Sequence, residues 1–135
     1  MRIILTVLVV ISIYAKAHAT DEPTVSKLNS ELIPIYEQLM TKGENASLIG
    51  QYVEAKLHLR HASERFLLFT DTQVVLDNGT NYYLIKWRFE PDDISDFIGK
   101  SDVICKVSGR VVEVVSGAKA SGMPYVVVEL LQLEL

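Results

Sequence analysis

A strict alternation of apolar and polar residues after Gly50 does most to narrow what this chain can fold into. Val53, Ala55, Leu57 and Leu59 alternate with Glu54, Lys56, His58 and Arg60. Successive side chains of a strand point to opposite faces, so this segment predicts a strand with one face hidden and the other wet. Similar segments follow it. Residues 66–69 make a short apolar strand that 73–76 continue or follow, with Thr70 to Thr72 interrupting the run. Asp77-Asn78-Gly79-Thr80 predicts a tight turn, because Asn-Gly readily supplies positive φ. Residues 81–89 form the next strand, with Tyr83, Ile85, Trp87 and Phe89 on one side and Tyr82, Leu84, Lys86 and Arg88 on the other.

The strands then pause. Residues 91–99 predict a short helix, with Asp92 and Asp93 favouring the positive end of its dipole and Gly99 as its stop. Val103–Val115 is a long strand that Gly109 should break with a bulge or a sharp coil. Cys105 shares a face with Val103 and Val107, which places the lone cysteine in the core as a small hydrophobe. Residues 117–122 are a small-residue loop, and residues 125–133 form the last strand.

The N-terminal part has a different character. Met1-Arg2 precedes a run of about a dozen apolar residues, too short for the roughly 20 that a spanning helix needs. Ala17-His18-Ala19 has the small-x-small form of a signal peptidase site. Residues 1–19 are therefore expected to be a cleaved signal peptide, and the mature chain to be periplasmic or secreted with no membrane span. Residues 20–45 are expected to be a helical segment, with Val25, Leu28 and Leu32 on one stripe. Pro34 would open a second helical turn carrying Ile35, Leu39 and Met40, and Gly43 would end it. Such a segment either packs on the domain or binds a partner.

Composition excludes several classes. With 49% hydrophobic and 22% charged residues the chain is not a disordered one. The formal charge of -4 argues against coating nucleic acid. Loss of Arg2 and Lys16 with the signal peptide would leave 11 basic residues against 17 acidic ones, about -6.

Five strands with a short helix between the third and fourth is the order of the OB-fold, a five-stranded Greek-key barrel. Leu48-Ile49-Gly50-Gln51-Tyr52-Val53-Glu54-Ala55 resembles the first strand of the tRNA-anti-like OB-fold group. Phe97-Ile98-Gly99-Lys100 followed by Val103-Ile104-Cys105-Lys106-Val107-Ser108-Gly109-Arg110-Val111 resembles that group's passage from helix to fourth strand. The resemblance covers residues 46–135 and implies a mainly β OB-fold domain. A small β-sandwich is the alternative. The matching positions fix glycines and core residues and carry no catalytic group.

In OB-folds, ligands bind across the outer face of strands two and three, framed by loops. Tyr82, Leu84, Lys86 and Arg88 are the expected outer residues of the third barrel strand, with Lys56, His58 and Arg60 as neighbours on the first. Aromatic and basic residues together suit single-stranded nucleic acid, whose bases stack and whose phosphates attract cations. The acidity of the chain and its expected export favour a protein, a peptide or a small anionic ligand instead. A third possibility is an interaction or inhibitor role through the helical segment or the face around Leu84.

No catalytic constellation is present, so a non-enzymatic binding module without a cofactor is expected. His58 and His61 fall on opposite strand faces and make no metal pair. Asp92, Asp93 and Asp96 sit at a helix start and match no calcium loop.

Overall fold

The computed structural model describes residues 24–25, 28–42, 46–115 and 123–135. The expected signal peptide, the stop at Gly43 and the loop at 117–122 lie outside these residues. In chain order the elements are β1 (Thr24–Val25), α1 (Ile33–Lys42), β2 (Tyr52–Ala62), β3 (Leu67–Phe69), β4 (Gln73–Val75), β5 (Asn81–Tyr83), β6 (Ile85–Arg88), β7 (Val103–Val115) and β8 (Tyr125–Glu134). Short 3-10 turns occupy Ala46–Leu48, Thr70–Thr72 and Pro91–Phe97.

The strands form two hydrogen-bonded sheets, ordered β3-β2-β7-β8-β6 and β1-β4-β5. β3 and β4 are two halves of one barrel strand, split by the 3-10 turn Thr70–Thr72. β5 and β6 are likewise two halves of the next, split at Leu84. The N–H of Leu84 donates to the carbonyl of Thr72 at 3.0 Å, tying the two breaks together. Counting each split pair as one strand gives five barrel strands. Their antiparallel pairs, and the parallel pair of β6 with β8, nearly close the sheet into a barrel, an arrangement consistent with an OB-fold.

Sequence and burial agree along β2, where Val53, Ala55, Leu57 and Leu59 face a core completed by Phe69, Trp87, Val107 and Val128. Cys105 is buried there as a free thiol, and burial pushes its pKa above the ordinary 9.0 against the opposing pull of Lys100. Ile94 and Phe97 of the third 3-10 turn join the same core. That turn begins with a capping box, in which Glu90 and Asp93 each accept the other's backbone N–H. Gly79 takes φ of 80° in the turn before β5, and the Thr80 N–H donates to Asn78 Oδ1 at 2.9 Å. β7 shifts register against β8 between Ser108 and Gly109 and again between Val111 and Glu113.

The N-terminal segment differs from expectation in its first half. Residues 24 and 25 are a strand paired antiparallel with β4, not part of a helix. The unpaired edge of β4 supplies hydrogen bonds that local periodicity cannot reveal. Pro34 does open a helix, as its second residue. Leu32, Ile35 and Leu39 belong to the barrel core, so this apolar stripe packs on the domain.

Candidate functional site

β3 and β6 are the two terminal strands of the five-stranded sheet, each paired on one side within it. Between them the barrel has a seam, and a cavity of about 620 Å³ lies there. Its floor includes Leu67, Ile85 and Trp87. Its aromatic residues come from three places in the chain: Phe66 in the turn before β3, Tyr82 and Tyr83 on β5, and Tyr125 at the start of β8. Arg65 and Lys86 bring positive charge to the rim, and no carboxylate lines the cavity among the described residues. Segregation of this kind is notable in a chain with 17 acidic residues.

Neither cation is neutralised by an ion pair among the described residues. Lys86 Nζ instead lies 4.2 Å from the centroid of the Tyr125 ring. A cation over an aromatic face keeps its charge while its stem is ordered. Trp87 is 7% exposed, and its Nε1 has no hydrogen-bond partner among the described residues. A buried donor left unpaired carries a desolvation penalty that an acceptor would remove.

The expected residues divide. Tyr82 and Lys86 line the cavity. Leu84 does not belong to any outer face: it is 3% exposed and packs with Val74 and Met123 in a second, smaller core. It sits where the strand passes from one sheet to the other, so Leu84 and Ile85 are buried in succession and the period-two phase is lost. Arg88 is exposed but lies 3.9 Å from Glu113 Oε2 and does not line the cavity.

Lys56, His58 and Arg60 are not neighbours of these residues. On one side of the barrel the split strand β3/β4 lies between β2 and β5/β6, and on the other side β7 and β8 do, so the two sets of residues are not on paired strands. His58 is instead held locally, with its backbone N–H donating to the buried Asp71 carboxylate at 2.6 Å and its ring Nε2 at 3.7 Å from Asp102 Oδ1. Lys106, opposite Lys56 on β7, pairs with Glu54 at 3.3 Å, and that hydrogen bond and charge raise its pKa. Among the described residues Lys56 and Arg60 enter none of these ion pairs.

No family model, curated protein or solved structure matches the chain.

Sequence inspection overlooked Arg65, Phe66, Tyr83, Trp87 and Tyr125. Arg65-Phe66 had a usable signal, an exposed cation and aromatic side by side at a turn that frames an OB-fold's binding face. Tyr83 and Trp87 appeared as core, which is correct for Trp87 and conceals that a core ring can also floor a cavity. Among the described residues no three His, Cys, Asp or Glu side chains converge on a metal position, and no helix is long and apolar enough to cross a membrane.

Proposed function

We propose that this protein is a non-catalytic OB-fold binding module that holds an organic anion in the seam cavity. The observation that carries this is the pair of cations, Arg65 and Lys86, beside four aromatic rings with no lining carboxylate among the described residues. A cavity of about 620 Å³ falls within the roughly 300–1,000 Å³ of small-ligand sites. An extended nucleic-acid strand would instead call for a continuous basic groove.

Calorimetric titration with a panel of organic carboxylates tests the proposal. At least one should bind with 1:1 stoichiometry. Arg65→Ala and Lys86→Ala should each weaken it roughly tenfold, since a charge-assisted contact is worth about 1.5 kcal/mol or more. Arg60→Ala on β2 should leave the affinity unchanged. Binding that survives loss of both cations would overturn the assignment.

We also propose that the chain is exported and that residues 1–19 are removed, on the strength of the apolar run and the Ala17-His18-Ala19 step. Expressed in a Gram-negative host, the protein should be recovered from the periplasm with a mass lacking those residues. Recovery of uncleaved chain from the cytosol alone would contradict this. Within the OB-fold class, the tRNA-anti-like group remains the proposed relationship, supported by the residues around Gly50 and Gly99.

A further inference from the structure

We infer that the ligand of the seam cavity is a flat, conjugated organic anion, and that Trp87 Nε1 is the donor that recognises an acceptor in its plane. This rests on the anion-binding proposal above and specifies the chemistry that such an anion must have.

Three observations converge. The first is the shape of the walls. Phe66 is 48% exposed, although it lies in a turn leading directly into the core strand β3. Tyr82, Tyr83 and Tyr125 are half-buried and line the same cavity, with Tyr82 also packed against the second core. Rings contributed by three separate elements favour a guest with a π-face of its own.

The second is the orientation of Trp87. A Cβ placed on Gly109 would stand 3.2 Å from Trp87 Cζ3, so that edge of the indole is turned toward β7. Cζ3 and Nε1 sit on opposite edges of an indole, which leaves the N–H on the side away from β7. Phe69 meets the same indole at 71°, with 5.7 Å between ring centroids, and fixes its plane. Trp87 lines the cavity, while its Nε1 is closed to solvent and has no partner among the described residues, so a guest's acceptor meets it only by displacing a lining side chain.

The third is charge. Lys86 already rests on the Tyr125 ring, so an anion meeting Lys86 lies beside an aromatic face. Charge and ring of the guest are then required within one ring's breadth of each other. An aryl carboxylate meets all three conditions, whereas a saturated acid or a neutral arene meets only part of them.

Trp87 is the only tryptophan, so a single indole N–H resonance reports on this site. The probes are 2-naphthoate, decahydro-2-naphthoate, 2-naphthamide and an oligothymidylate. Calorimetry should show 2-naphthoate binding 1:1, with the saturated acid and the amide each about tenfold weaker. Nuclear magnetic resonance should show the indole N–H moving downfield as 2-naphthoate saturates. Trp87→Phe should lower its affinity about fivefold, the worth of one hydrogen bond.

If the saturated acid binds as well as 2-naphthoate, the flat-ring inference fails while anion binding stands. An indole resonance that stays put at saturation removes Trp87 as the donor, whatever the folding of the variant. If the oligothymidylate binds more tightly, with affinity falling steeply with salt, the guest is nucleic acid and the inference is overturned. If no carboxylate binds, the anion-binding proposal falls with it.

Discussion

Gly109→Ala is expected to destabilise the protein by about 3 kcal/mol, at the upper end of ordinary overpacking costs. The added Cβ would sit 2.4 Å from Val128 Cγ1, 2.6 Å from the Glu129 carbonyl oxygen and 3.2 Å from Trp87 Cζ3. A side-chain methyl can rotate away, but a carbonyl in the β7–β8 ladder cannot without parting Gly109 from its neighbour Leu130. The irregularity between Ser108 and Gly109 leaves Leu131 as an extra residue on β8 and bends that strand at this point. Urea denaturation should show the midpoint falling by roughly 1–2 M with little change in slope. Trp87 emission should shift in the folded state as well, since the indole is one of the three groups displaced. An unchanged midpoint would mean that the two strands can separate here at no cost, contrary to their close approach.

Phe69→Ala should cost about 4 kcal/mol, within the 3–5 kcal/mol typical of emptying a buried aromatic site. Phe69 is fully buried at the end of β3, edge-on to Trp87, where the five-stranded sheet stops. A terminal strand of three residues has few ladder bonds of its own, so the ring does most of the anchoring. Phe66→Ala provides the control. That ring is exposed in the preceding turn, and its loss should change stability by no more than about 0.5 kcal/mol while weakening any ligand stacked on it. Equal stability losses at the two positions would contradict the assignment of one ring to the core and the other to the site.

The barrel was legible where its strands run unbroken. Val53 to Leu59 alternate in the sequence and in burial, because β2 is eleven residues long and keeps one face to the core throughout. Cys105 was legible as core for the same reason. The interruption at Thr70 to Thr72 was also visible, since three polar residues divide two apolar runs. Its counterpart at Leu84 was not, because Tyr82 to Arg88 keep a formal alternation straight through the break. Only the hydrogen bond from Leu84 to Thr72 shows that the strand changes sheets there. Pairing of residues 24 and 25 with Val74 and Val75 depends on contacts far along the chain, which no local pattern encodes.

The site was half-legible on the same grounds. Lys86 and Tyr82 lie on a strand whose outer face could be counted off. Arg65, Phe66 and Tyr125 reach the cavity only because barrel closure brings the turn before β3 to the start of β8. Lys56, His58 and Arg60 were grouped with them by resemblance of face alone. Which faces adjoin is set by strand order, and the split strand β3/β4 lies between β2 and β5/β6.

The parallel pairing of β6 with β8 has a consequence for how the molecule forms. β8 is the last of the barrel strands in chain order, and it is the parallel partner of β6 and the second partner of β7, which also pairs with β2. During synthesis those edges stay open until nearly the whole domain has emerged. Non-local pairs of this kind are slow to assemble, so the chain passes through an extended, incompletely ordered period before the barrel snaps shut. That interval is when its open edges are most exposed to other chains.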